Sequence, residues 1–279
     1  VVEGLDVYNG QGTIDWMKVA ASGRQFAFIK ATQGDYNKQT SFPANWANSA
    51  AAGLMRSAYH FFDPTIDGVA QANAFLAEVT AGGGMGSNDL PPMLDIECPV
   101  SASQTTSQSS DPNCEYTGNS GWVATATMQQ RIFDWLSTVE AAVGRKPIIY
   151  SYPSWFGDVM FSDARLTAYP LFIATYSTCA SVPTPWTTAV FWQYSATATV
   201  PGITGSVDVD RFFGSAGDLQ TWNSSAPPDA GVEPDAGTGP TEHAGCGCRS
   251  SDAPSGALLV AVMALWPRRR SRARARRGS

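Results

Sequence analysis

Residues 124–150, ATATMQQRIFDWLSTVEAAVGRKPIIY, carry two periodicities back to back. Ile132, Trp135, Leu136 and Val139 recur at helical spacing, which predicts a helix over Ala124–Val143. The short apolar run Pro147–Tyr150 follows it, and a similar run, Pro92–Glu97, lies upstream; both read as strands. Outward from there the alternation continues. Strand-like runs occur at Leu5–Tyr8, Phe26–Ala31, Met55–Phe62, Leu171–Thr175, Val190–Tyr194 and Val207–Val209, and helical patterns at Phe42–Ala52 and Asp67–Val79. So many strands alternating with helices predict an α/β fold with parallel pairing, closed into a barrel of the TIM type. An open doubly wound sheet is the alternative, but no GxGxxG follows the first strand. The Gly82–Gly86 cluster follows a helix and lacks the Lys-Ser/Thr of a phosphate loop, so it reads as a turn.

The chain has 279 residues, 43% hydrophobic and only 15% charged, with a formal net charge of −6. All 24 acidic residues precede Pro267, whereas seven arginines follow it. An acidic body argues against nucleic acid as a partner. The composition changes after Trp222: residues 1–222 read as one domain, 223–244 as a Pro/Ser/Asp/Gly-rich linker, and 245–279 as a separate tail. In that tail Cys246 and Cys248 precede a short apolar run, Ala257–Trp266, and the arginine cluster. Ten apolar residues are too few to cross a bilayer as an ordinary helix. Of the other cysteines, Cys98 and Cys114 bracket a Ser/Thr/Asn-rich insertion, as in a disulfide-closed loop of an exported protein. Such a closure stabilises by roughly 3 kcal/mol on the chain-entropy model. The chain begins at Val1, consistent with an export signal already removed.

Four acidic residues fall at predicted strand ends: Asp6, Asp95, Glu97 and Asp208. The C-terminal strand ends of a parallel barrel form its functional face, so these carboxylates can converge although remote in sequence. Asp95 and Glu97 are two apart and share a strand face with Met93, while Leu94 and Ile96 pack outward. Two close carboxyls repel each other's charge, leaving one protonated near neutrality. Cleavage of a glycosidic bond needs such a pair, one group donating a proton and the other stabilising the sugar cation. Tyr8, Tyr59, Phe61, Tyr150, Tyr152, Tyr176, Trp192 and Tyr194 lie near the same strand ends, and aromatic rings suit the C–H faces of sugars.

Competing chemistry is absent from the sequence. His60 is the body's only histidine, and its alternation with Tyr59 and Phe61 predicts a second-layer position facing the helices. There is no G-x-S-x-G elbow and no HExxH, and the cysteine spacing does not suit a zinc ribbon, so neither metal nor cofactor is expected.

Eight segments carry a resemblance: GLDVYNGQGTIDW, FAFIKATQG, AGLMRSAYHFF, LPPMLDIE, PIIYS, PLFIATY, FWQYS and VDVDRF, in that order from Gly4 to Phe212. They resemble glycoside hydrolase family 25, the Chalaropsis-type lysozymes. The resemblance implies an irregular, flattened β/α barrel and hydrolysis of the β-1,4 bond between N-acetylmuramic acid and N-acetylglucosamine in bacterial peptidoglycan. It implies Glu97 as general acid/base, Asp95 as the group stabilising or orienting the reacting centre, and Asp6 and Asp208 as cleft residues tuning proton affinity. Gln33, Tyr59, Phe61, Tyr150, Tyr176 and Trp192 are expected to bind substrate. Gln33 is a departure, because many relatives carry Glu there; Gln keeps hydrogen-bonding reach but cannot act as a base. The spacing of Asp95 and Glu97 leaves retaining and inverting routes open, and a substrate-assisted route through the acetamido group is preferred. The tail resembles the sorting tails of myxobacterial surface proteins, which implies a secreted enzyme retained at the envelope; a monomer is expected. A glycan-binding protein without catalysis and a chitinase-like enzyme are the rivals, the latter lacking its expected run of aspartates before Asp95.

Overall fold

The computed structural model describes residues 1–98, 123–158 and 163–224. Nine strands alternate with six helices among them. The strands are β1 Val2–Val7, β2 Phe26–Gln33, β3 Asn37–Lys38, β4 Met55–Phe61, β5 Met93–Asp95, β6 Ile148–Ser151, β7 Leu171–Ala174, β8 Phe191–Ala198 and β9 Val207–Phe212. The helices are α1 Trp16–Ala21, α2 Phe42–Ala51, α3 Gly68–Ala81, α4 Thr125–Val143, α5 Pro153–Asp158 and α6 Ala216–Ser224. The order β1-β9-β8-β7-β6-β5-β4-β2 closes through a β1–β2 pairing, and β3 hangs on β2 outside the ring. The expected barrel is present, with one correction to its predicted parallel pairing. β9 runs antiparallel to both β1 and β8, while the other ring pairings are parallel.

Alternation along each strand divides the core in two. Phe26, Phe28, Tyr59, Met93, Ile148, Tyr150, Phe172, Phe191 and Phe212 fill the barrel interior. Leu5, Val7, Ile29, Leu94, Ile96, Ile149 and Ile173 face the helices, as expected for Leu94 and Ile96. On α4, Ile132, Trp135, Leu136 and Val139 are buried on one side, matching the predicted helical stripe. The Gly82–Gly86 segment turns out of α3, with Gly83 and Gly84 at positive φ. His60 occupies the outer layer: its ring meets Thr32 Oγ1 at 2.7 Å and Gln71 Oε1 at 3.1 Å and stacks on Trp135. Burial holds its pKa down at about 3, so it is a neutral packing residue. Replacing Trp135 by Ala removes the surface on which His60 and Phe75 rest. A loss of about 3–5 kcal/mol is expected, measured by denaturant unfolding.

Cys98 and Cys179 both take part in disulfide bonds. The expected Cys98–Cys114 pairing involves a residue outside the described ones, as do the linker beyond Ser224 and the whole 245–279 tail. No helix among the described residues is long and apolar enough to cross a membrane.

Candidate active site

The inward-facing positions change character towards one end of the barrel. Below, the interior is phenylalanine; above, it carries Asp6 from β1, Lys30 from β2, Tyr59 and Phe61 from β4, Asp95 from β5, Tyr150 from β6, Gln193 from β8 and Asp208 from β9. With Tyr8, Met93 and Glu97 these line a hollow of about 120 Å³. The reversal of β9 is what delivers Asp208. It lies near the start of its strand, and antiparallel register sets it directly opposite Asp6.

Regular strand pairing ends at Asp95, yet the next three residues stay fixed because neighbours bond their backbone. Tyr150 carbonyl accepts from Ile96 N at 2.9 Å, and Ser151 Oγ donates to Ile96 O at 2.6 Å. Tyr152 hydroxyl donates to Glu97 O at 3.1 Å, and Trp155 Nε1 donates to Cys98 O at 3.2 Å. Glu97 thus projects from a clamped segment, half-buried at the mouth of the hollow. Tyr152→Phe deletes one clamp. Turnover should fall about fivefold with KM little changed, the equivalent of one hydrogen bond worth about 1 kcal/mol, read from initial-rate kinetics.

The electrostatics follow from burying carboxyls together. Burial raises the pKa of Asp6 to about 6, against lowering by hydrogen bonds from Gln193, Asp208 and Asp210, with Glu97's charge raising it further. Asp95 is pushed well above the ordinary carboxyl range by burial and then by Glu97's charge, while Lys30 pulls it down. Its side chain hydrogen-bonds Glu97, which requires a proton between the two, and its Oδ1 is buried without a partner. Asp208 is raised by burial and by the adjacent Asp6. The cluster therefore holds protons at pH values where isolated carboxyls have lost them.

Gln193 organises the opposite wall. Its Nε2 donates to Asp6 Oδ2 at 2.7 Å, and its Oε1 accepts from Tyr150 at 2.9 Å and Tyr176 at 2.8 Å. Tyr176 is 64% exposed, which leaves its ring face open beside the hollow's polar wall. Lys30 Nζ lies 4.3 Å from the centre of the Phe61 ring and donates to Gln33 Oε1 at 3.2 Å. Gln33 is buried beside the hollow, and it reaches the site through Lys30.

The structure thus brings Asp6, Asp95, Glu97, Asp208, Tyr59, Phe61 and Tyr150 onto one hollow, with Tyr176 and Gln33 one contact behind. Trp192 is not brought there. It faces the outer layer, donating from Nε1 to Thr175 O at 2.8 Å and stacking on Phe213. Its neighbour Gln193 takes the inward position, because adjacent strand residues point to opposite faces. Gln193, Lys30 and Asp210 join the site beyond the residues picked from sequence. The D-x-D spacing of Asp208 and Asp210 was the available signal, since both must share a face.

Residues 5–203 match the family described as Glycosyl hydrolases family 25. Lysozyme M1 of Streptomyces globisporus is 36% identical over 223 residues, 78% of this chain and 70% of that protein. The N,O-diacetylmuramidase of Chalaropsis sp is 30% identical over 221 residues, 74% of this chain and 96% of that one. The crystal structure of the bacterial lysozyme from Streptomyces coelicolor superposes with a TM-score of 0.69 at 34% identity, covering 80% of this chain and 97% of its own.

Proposed function

The chain belongs to glycosyl hydrolases family 25 and is a peptidoglycan muramidase, and from that premise we propose how its residues divide the work. Glu97 is the general acid/base: it sits at the mouth of the hollow, where a glycosidic oxygen has access. Asp95 orients the muramyl 2-acetamido group. Its buried, unpartnered Oδ1 is an acceptor waiting for an N–H, and the amide of that group supplies one. Held so, the acetamido oxygen attacks the anomeric carbon from within the substrate while Glu97 gives its proton to the departing oxygen. Water then opens the resulting ring, with Glu97 taking the proton back.

Asp6 supplies the negative field that favours positive charge on the sugar, steadied by Gln193, and Asp208 opposite it tunes its proton affinity. Tyr59, Phe61, Tyr150 and Tyr176 give ring faces and hydroxyls to the glycan, and Gln33 binds through its amide and its Lys30 contact. The observation that carries this reading is the meeting of Asp6, Asp95, Glu97 and Asp208 in a single sugar-sized hollow. A glycan-binding protein without catalysis has no use for a proton held between Asp95 and Glu97.

The anomer of the first-formed product, followed by NMR, tests the route. A β product supports attack by the acetamido group; an α product means direct displacement by water and removes that role from Asp95. The acidic body acts outside the cell on walls, and residues 245–279 serve as its address at the envelope, with 223–244 as spacer.

A further inference from the structure

Asp210 is a fully buried carboxyl that the mechanism above does not use. It points inward from β9, with Gly4 of β1 on one side and Gln193 of β8 on the other, one step beneath Asp208. Position 4 offers it no side-chain partner, and a Cβ there would run into the Phe26 ring, so the strand can only be glycine at that height. Below lies the phenylalanine interior. Neither oxygen of Asp210 receives a donor, and the side chain it hydrogen-bonds is Asp6, another carboxyl. A carboxylate with no donor and no cation paired to it is not stable in such a place. Between two carboxyl groups a hydrogen bond exists only when one carries a proton, and Asp210 is the one without any other way of being satisfied.

We propose that Asp210 is a positioning residue of the reaction: a neutral carboxylic acid set under the floor of the site, whose O–H holds Asp6 ionised and turned towards the cleft. The proposal rests on the reading of Asp6 as a working cleft residue. Gln193 Nε2 grips Asp6 Oδ2 from the side, so Asp6 is fixed by one amide and by acid donors from the neighbouring strand. Burial and the nearness of Asp6 and Asp208 also push the Asp210 pKa well above the ordinary carboxyl range, in keeping with a retained proton.

The groups facing this pair come from every side. Asp208 shares the strand, Asp95 and Glu97 lie across the hollow, and Tyr59, Tyr150 and Tyr176 stay neutral. Two cations act nearby: Arg24 pulls Asp210 down, and Lys30 acts on the Asp95 side. Arg24 spends its Nη1 on Glu3, 2.9 Å away, and does not pair with Asp210.

Wall-solubilisation rates measured against pH for wild type, Asp210→Leu, Asp210→Asn and Asp6→Asn test the proposal. Asp210→Leu should lose about tenfold in turnover, and the acid limb of its profile should move up by roughly one pH unit, since Asp6 loses a donor. Asp210→Asn should rescue both, because its amide N–H replaces the acid O–H. A shift shared by Leu and Asn, or absent from both, overturns the role of Asp210 and leaves the site assignment standing. Full activity in Asp6→Asn overturns the site assignment itself. If the Leu variant does not fold, infrared difference spectra of wild type against Asp210→Asn decide. Loss of a protonated-carboxyl C=O band at neutral pH supports the proposal, and no difference in that band overturns it.

Discussion

Glu97→Gln should cut wall hydrolysis by roughly 10²–10⁴-fold while leaving the fold and wall affinity in place. The amide matches the carboxyl in shape, and the clamp on residues 96–98 acts on backbone atoms, so the segment keeps its path. What disappears is the transferable proton. KM should change little, because the interaction removed is made in the transition state. Turbidity clearing and a sedimentation binding assay on the same sacculi check both halves. Near-normal clearing would move the acid role elsewhere, and lost binding would show that Glu97 holds the ground state.

The second large effect concerns stability. Asp6 has a folded-state pKa of about 6 against an ordinary 3.8. Its contribution to stability is therefore full below the ordinary value and is lost as pH rises through about 6. At neutral pH, keeping Asp6 ionised in the barrel costs about 3 kcal/mol. Asp6→Asn removes that cost, since an amide carries no charge and still accepts from Gln193. The variant should melt higher by roughly 6–12 °C at neutral pH, with the gain fading on acidification, and should lose activity. His60 works in the opposite sense. Its folded pKa is lowered to about 3, so the stability it contributes is present above its ordinary 6.5 and lost as pH falls. A His60→Gln background removes the histidine's dependence and leaves that of the buried carboxyls, of which the Asp6 share is read as the difference between Asp6→Asn and its parent. A melting temperature of Asp6→Asn equal to or below that of wild type at neutral pH would show that the carboxyl is not strained by burial.

Most of the architecture was legible because strand and helix periods differ so plainly. The three helical patterns and eight strand-like runs read from sequence correspond to α2, α3, α4 and the eight ring strands. The direction of β9 was not legible: strand propensity carries no sign, and only pairing with β1 and β8 sets it. Site residues followed the same division. Asp95 and Glu97 declare a shared face through their spacing, so their meeting was predictable. Asp6 and Asp208 met as expected at one barrel end, although through an antiparallel register the sequence does not announce. Trp192 was misplaced because a one-residue error in strand phase exchanges the two faces, and the true inward residue, Gln193, looks ordinary in sequence. Asp210 was passed over for a related reason. Its meaning comes from what lies around it, a glycine, a phenylalanine ring and a second carboxyl, and none of these adjoins it in the chain.

Reducing-end analysis of digested sacculi tests the central claim most directly. Digestion by the wild-type protein, followed by borohydride reduction, should convert muramic acid residues to their alditol, marking the muramyl side of the cut. Reduced glucosamine in its place, or glycan bound and left whole, would contradict a hollow built to hold the muramyl sugar and protonate the bond beyond it.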